Sequence, residues 1–531
     1  MTYLKTVLNQ KVTPQSQPIP GSSQVANSAG GYSFAVDDWK RLERFLILGS
    51  EGGSYYASEQ KLSRDNAEGS LRCIKTDGLR AVREIVAVSD AGRAPKNDPA
   101  IFALALAASF GNDETRRAAL AAVPRVCRIG THLFHFAEYV DGMRGWGRGL
   151  RDAVGRWYGE QEPGKLAFQV VKYQQRDGWS HRDLLRLSHP KPKNDTQKTL
   201  FHWATQGWPG VGDEPHPDNA LQLVWAFERA KRAESVGEIA NLIRQYRLPR
   251  EAVPTQWLSE KAVWEALLGD MGLTALIRNL ATLTRIGVFE DRDIVKTVCE
   301  TIGNKERLKA ARVHPIAVLS ALKTYAQGKG ERGTNTWKPL GRVVDALDAA
   351  FYAAFQNVEP TGRRFVLALD VSGSMEFSTI AGVPGLTPRV ASAAMALVTA
   401  ATETDYETVA FQTELTRLAI SPRQRLDDVL KTVSGLSFGG TDCALPMLWA
   451  MKNKVEADVF VVYTDSETWF GKVHPVQALQ QYRDKMGIAA KLIVCGMVAN
   501  KVSIADPNDA GMLDVTGFDT ATPQLISDFA R

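Results

Sequence analysis

Five oxygen donors between positions 370 and 465 are the residues of this 531-residue chain best suited to chemistry. Asp370, Ser372 and Ser374 follow the apolar run RFVLALD as a DxSxS pattern. Thr441 sits in the glycine-rich segment GGTD, and Asp465 closes the apolar run DVFVVYTD. A hard divalent cation, Mg²⁺ above all, takes about six oxygens near-octahedrally at roughly 2.0–2.1 Å, keeps some water and needs only one or two carboxylates. Two Asp and three hydroxyls meet that demand. With only two formal negative charges from the protein, the ion stays electrophilic enough to recruit an acidic group from a partner protein. An Asp/Ser turn cap is the plain alternative. A general-base role for Asp370 or Asp465 lacks a nearby His or Lys to complete an acid–base pair, so no catalytic residue is expected.

A second constellation is cationic. Residues 125–193 hold 13 Lys and Arg against 7 Asp and Glu. In KLAFQVVKYQQR, Lys165, Gln169, Lys172 and Arg176 recur at intervals of four, three and four, which places them along one helical face with an apolar face opposite. After a turn at Gly178, Ser180 and Asp183 form a capping box, and Arg182, Arg186 and His189 repeat the helical spacing before Pro190. Such a surface neutralises phosphates and binds nucleic acid with steep salt dependence, and an ordinary solvated helix face has the same pattern. Trp179 reads as a packing residue. Arg144 and Arg148, in GMRGWGRGLR, and Lys329 and Arg332, in QGKGERG, are weaker phosphate-contact candidates. His132 and His135, one helical turn apart, lack a third ligand and read as core or cap residues.

These residues need elements to hold them. Hydrophobic residues make up 44% of the chain and charged ones 23%, as in folded globular proteins, and the length calls for more than one packing unit. Neither a membrane-length apolar stretch nor a signal-peptide core is visible, so a cytoplasmic location is expected. Five widely spaced cysteines, none in a CxxC pair, read as reduced and mostly buried. Residues 1–31, rich in Pro, Ser, Gln and Gly from position 13, read as a flexible arm. From 32 to 360 short segments of helical periodicity, such as Ile239, Leu242, Ile243 and Tyr246 before Pro249, follow one another between Gly, Pro and Asn punctuation. That grammar suits an α-solenoid of stacked helix pairs, with an irregular bundle as the alternative. Over 361–531 it changes to buried-strand runs separated by helices, the mark of a doubly wound α/β domain whose ligands bind at the carboxyl ends of the strands. The charge divides at the same place. Residues 361–531 hold 15 basic and 19 acidic side chains, and the remainder 49 and 40.

DVSGS, GGTD and VVYTDS together resemble the metal-ion-dependent adhesion site of a von Willebrand factor type A domain. The stretches KYQQRDGWSHRDLLRLSHPKP, MGLTALIRNL and ERLKAARVHPIAVLSALKTYAQGKGERG resemble the TROVE module of the Ro autoantigen family, in which a type A domain follows in the same order. The resemblance implies a ring of HEAT-like helical repeats closed by the type A domain. It implies binding of small noncoding Y RNA on the outer surface and of single-stranded 3′ ends of misfolded RNAs in a central hole, for RNA quality control alongside an exoribonuclease such as polynucleotide phosphorylase. By this resemblance Lys172, Arg176 and His189 contact Y RNA. Arg182, Arg186, Lys165, Arg144 and Arg148 extend that set on charge and spacing alone. Asp177 stands where a neutral residue is expected, and the acidic loop Asp213–Asp218 is unlike the family. A non-enzymatic RNA-binding protein is the expected function, and a metal-dependent protein-interaction scaffold without RNA is the alternative.

Overall fold

The structure, a computed structural model, describes residues 12–49, 59–208, 212, 214–330, 334–355, 359–377, 379–380, 386–437 and 439–531. Arg332 and Asp213 lie outside these.

From Asp38–Leu48 to Gly341–Ala353 the chain is a succession of short α-helices. Local signals set their ends. Helix Val236–Tyr246 starts at Ser235, whose side chain accepts from the Glu238 amide, and stops at Arg247, which adopts φ +54° ahead of Pro249. Its Ile239, Leu242 and Ile243 are buried. Helices near in sequence pack on each other: Asp98–Phe110 on Asp113–Val126 and Gly130–Arg144, Val236–Tyr246 on Lys261–Leu268, and Pro315–Ala326 on Gly341–Ala353. This is the stacked-helix arrangement expected from the periodicity.

Residues 364–530 form the expected α/β domain. Its strands are β5 (Arg364–Asp370), β6 (Asp405–Phe411), β7 (Leu415–Leu418), β8 (Val459–Thr464), β9 (Lys491–Gly496) and β11 (Met512–Thr516). They lie in the order β11-β9-β8-β5-β6-β7, parallel except for the edge strand β7. Both faces are covered. Phe365, Leu367 and Leu369 of β5 join the core that runs on into the helical array. Val366 and Ala368 face a second core with Ala444, Met447, Leu479 and Tyr482. A strand buried on both faces reads as an unbroken apolar run, as RFVLALD does.

The expected flexible arm is corrected for residues 12–31; residues 1–11 lie outside the described residues. β1 (Gln24–Ala26) and β2 (Tyr32–Ala35) form a hairpin that β10 (Val502–Ser503) of the α/β domain extends to three strands. Gln15 is fully buried: its Nε2 donates to Asp442 Oδ1 and to the Val473 carbonyl, each at 2.7 Å. The segment has too little apolar surface to fold by itself, and the α/β domain supplies partners for its polar groups instead.

Ion pairs join the units further. Arg44 meets Asp514 at 2.6 Å, and Arg93 bridges Glu43 (2.6 Å) and Asp519. The start of the helical array also meets its end, since His314 Nε2 lies 2.9 Å from the Arg93 carbonyl. Among the described residues no helix is long and apolar enough to cross a membrane. All five cysteines are free thiols, and Cys73, Cys127, Cys443 and Cys495 are buried.

Candidate nucleic-acid interface and metal centre

Helix Pro163–Lys172 buries Leu166, Ala167, Val170 and Val171 and leaves Lys165 exposed. Lys172, in its last turn, is half-buried, with Nζ 5.3 Å from the Phe168 ring centroid and 5.4 Å from that of Tyr173. The stripe does not continue as a helix. The helix stops at Tyr173, and Arg176 lies on β3 (Gln175–Arg176), paired with β4 (Trp179–Ser180). Asp177 and Gly178 between them have φ +51° and +82°, the two-residue hairpin turn that Asp-Gly favours. Trp179 anchors the hairpin by stacking on Trp146 at 5.8 Å and donating its indole N–H to Glu138, so it packs as expected. Gln169, placed on the cationic stripe by spacing, instead accepts the Gly130 amide at 3.0 Å.

The capping box at Ser180 and Asp183 is present and starts helix His181–Ser188. Arg182 and Arg186 are exposed on it, and His189, at φ +46°, ends it with an exposed imidazole. His181 points inward within 2.7 Å of the Tyr158 hydroxyl, and burial pushes its pKa down to about 3. Arg144 and Arg148 are exposed upstream, and Arg144 also donates to the Ala108 carbonyl at 3.1 Å. Among the described residues Lys165, Lys172, Arg148, Arg182 and Arg186 make no ion pair.

His135 is the residue that spacing misread. Its Nδ1 lies 2.8 Å from Asp98 and its Nε2 2.8 Å from Asp177, so it ties the hairpin turn to the helical array. Asp98 contributes most to holding the imidazole pKa above its usual value, against burial, and Asp177 adds to it. Asp177 also lies 3.6 Å from Arg176. Its partner is far away in sequence, where no periodicity could reveal it.

The second constellation sits where β5 and β8 end side by side at the centre of the sheet. Asp370, Ser372, Ser374, Thr441 and Asp465 are all buried. The Ser372 amide donates to Asp370 Oδ1 (2.9 Å), and the hydroxyls of Ser372 and Ser374 lie 3.1 Å apart. Thr464 donates to Asp370 Oδ2 at 2.6 Å, and Ser374 hydrogen-bonds Asp465. The Gly373 amide donates to the Gly439 carbonyl (3.3 Å), which holds the loop of Thr441 against this turn. Burial, helped by the neighbouring charge of Asp465, pushes Asp370 up to about 7, and burial raises Asp465 too.

Two buried carboxylates that resist ionising, beside a buried Thr441 hydroxyl with no hydrogen-bond partner among the described residues, fit a cation. Among the described residues no group of three or more His, Cys, Asp or Glu could hold a metal, so a cation here would need the hydroxyl oxygens as well. Trp469 and Phe470 lie on the rim, 37% and 50% exposed, and both of their amides donate to the Thr441 carbonyl.

A stacked-helix array bearing a cationic hairpin, joined to a doubly wound domain with Asp and hydroxyls at its strand ends, defines a TROVE module coupled to a von Willebrand factor type A domain. The comparisons agree: the TROVE domain model matches residues 25–324 and the Ro60 vWA domain model residues 364–530. The chain is 44% identical over 534 residues to the RNA-binding protein RO60 of Deinococcus radiodurans, covering 100% of this chain and 99% of that one. It is 37% identical over 593 residues to the RNA-binding protein RO60 of Caenorhabditis elegans, covering 98% and 92%. The crystal structure of the Deinococcus radiodurans RO (RSR) protein superposes with a TM-score of 0.71 over 93% of this chain and 99% of that chain, at 44% identity. The chain belongs to the Ro60 family.

Proposed function

We propose that this chain binds RNA without turning it over, holding small structured RNA of the Y type on the face built by residues 163–189. The observation that carries this reading is a set of exposed cations, Lys165, Arg182 and Arg186, that make no ion pair among the described residues, with Arg176 lifted beside them on a hairpin. Unpaired cations on a rigid scaffold attract a phosphate backbone through counterion release. Lys172 and His189 complete the face, and Arg144 and Arg148 extend it.

The contact of His314 with the Arg93 carbonyl supports closure of the helical array into a ring. A central hole just wide enough for one strand would sort RNAs by their free single-stranded 3′ ends, leaving misfolded transcripts for decay by an exoribonuclease such as polynucleotide phosphorylase. In the type A domain Asp370, Ser372, Ser374, Thr441 and Asp465 would hold Mg²⁺, which supplies a Lewis-acidic position for an acidic group of a protein partner. The excess of acidic over basic side chains in residues 361–531, 19 against 15, favours a protein over a nucleic acid there.

Crosslinking the purified chain to a Y-type RNA and mapping the modified peptides tests the RNA reading. Crosslinks within 163–189 are expected. Crosslinks confined to 364–530, or none at all, overturn it.

A further inference from the structure

The strap of residues 12–35 reaches both loops of the metal centre, the one that carries Thr441 and the one that follows Asp465. Gln15 lies between them. Its Nε2 donates to Asp442 Oδ1, beside Thr441, and to the Val473 carbonyl, each at 2.7 Å, while its Oε1 accepts from the Thr468 hydroxyl. Its amide donates to the Gly471 carbonyl at 2.9 Å. The fit is close: a Cβ at Gly471 would lie 2.3 Å from Gln15 Nε2 and 2.4 Å from Asp442 Oδ1. The same two loops also bond each other. The Thr468 hydroxyl accepts the Cys443 amide at 3.1 Å, and the Thr441 carbonyl accepts the amides of Trp469 (3.1 Å) and Phe470 (3.0 Å).

Three consecutive residues after Asp465 are held by the strap as well. Ser466 has φ +60°, a conformation uncommon for a residue with a side chain, and its carbonyl accepts the Ser33 hydroxyl at 2.9 Å. The buried Glu467 carboxylate accepts the amides of Ser28 (2.7 Å) and Ala29 (3.2 Å). The Thr468 carbonyl accepts Asn27 Nδ2 at 2.7 Å. A Cβ on Gly31 would lie 2.0 Å from that carbonyl oxygen, so glycine is what lets the strap come so near.

We propose that the strap is part of the metal centre: Gln15 is a positioning residue that fixes the loop of Thr441 relative to Asp465, and docking of residues 12–35 and binding of a divalent cation reinforce each other. This rests on the reading of Asp370, Ser372, Ser374, Thr441 and Asp465 as the cation's ligands. The Thr441 hydroxyl has no hydrogen-bond partner among the described residues, so its aim is set by the loop backbone that Gln15 secures. A hard cation such as Mg²⁺ demands oxygens in a narrow geometry, and hydrogen bonds that orient its ligands are typically worth about 10- to 100-fold in affinity. Without Gln15, Asp442 and Thr468 each lose a buried partner and the two loops come apart more easily. Coupling is reciprocal, so a cation favoured by the docked strap holds the strap down in turn.

The test uses the full chain and Mg²⁺ alone, titrated by calorimetry after removal of metal with EDTA. Gln15→Ala should bind Mg²⁺ roughly 10-fold more weakly than the unaltered chain. Arg93→Ala is the control for lowered stability, because its ion pair with Asp519 shares none of these hydrogen bonds, and its Mg²⁺ affinity should be unchanged. Hydrogen exchange of the unaltered chain needs no variant: Mg²⁺ should slow exchange in residues 12–35 by a similar factor and leave helix Val236–Tyr246 as it is. Equal or tighter Mg²⁺ binding by folded Gln15→Ala, an equal weakening in Arg93→Ala, or strap exchange indifferent to Mg²⁺ each overturns the coupling while leaving the metal reading intact. Should Gln15→Ala fail to fold, the exchange result decides. An unaltered chain that gives no heat with Mg²⁺ overturns the metal reading itself and this inference with it.

Discussion

Lys172→Ala/Arg176→Ala tests the hairpin face most directly. Neither residue carries the fold. The Arg176 side chain is 62% exposed on a two-residue strand, and Lys172 ends a helix whose buried face is Leu166, Ala167, Val170 and Val171. Taking the Lys172 ammonium away from the Phe168 and Tyr173 rings costs about 0.5–1 kcal/mol, and taking its charge from the helix carboxyl end a similar amount, so the double variant should fold. On duplex RNA, taken as similar to B-DNA, each neutralised phosphate adds about 0.9 to the slope of log affinity against log salt, so removing two should flatten it by roughly 1.8. Between about 50 and 200 mM salt that equals roughly a 12-fold smaller loss of affinity than the unaltered protein shows. Fluorescence anisotropy of a small stem–loop RNA over a salt series reads this out. Arg176→Lys should keep the slope, because the charge remains, while losing affinity that depends on the two-pronged guanidinium. An unchanged slope in folded double variant would refute phosphate contact by these two residues.

Four other results follow from the geometry. Asp370→Asn should abolish stabilisation by Mg²⁺, which for an intact site at about 100 times its Kd amounts to about 2.7 kcal/mol; equal melting temperatures of the unaltered protein in Mg²⁺ and in EDTA would exclude the site. The His135 pKa is raised, first by Asp98, so its contribution to stability is fully present below the unfolded value of 6.5 and fades as pH rises through the folded value. Urea midpoints of the protein and of His135→Gln should therefore differ more at about pH 5.5 than at about pH 8.5, and a pH-independent gap would argue against the tie. Gly178→Val places a branched side chain at φ +82°, at a cost of roughly 1–2 kcal/mol, and should weaken RNA binding by misplacing Arg176; denaturant titration and anisotropy measure the two effects. Arg93→Ala leaves Asp519 buried without its cation and should cost roughly 3–5 kcal/mol, visible as a lower denaturation midpoint.

The signals that were legible in the sequence are those carried by residues close together in the chain. The DxSxS turn places its oxygens by local geometry, and RFVLALD and DVFVVYTD announce buried parallel strands that deliver Asp370 and Asp465 to the carboxyl ends of the sheet's central strands. The Ser180–Asp183 capping box and the inward face of Val236–Tyr246 were equally plain. The continuous cationic helix over 165–176 was not there, because Asp177-Gly178 closes a hairpin and Trp179 stacks on Trp146. Charge spacing placed Gln169 on the RNA face, although it caps a neighbouring helix.

The chain by itself thus determined the two kinds of unit, their order and the oxygen donors at the strand ends, since hydrophobic periodicity and turn chemistry act over a few residues. Tertiary structure alone decided that residues 12–31 are strapped onto the α/β domain, that His135 holds the hairpin through Asp177, and that Gln15 ties the loop of Thr441 to the one after Asp465. Each of these depends on groups far apart in sequence, whose meeting is set by the packing of whole helices and sheets, and no local pattern records it.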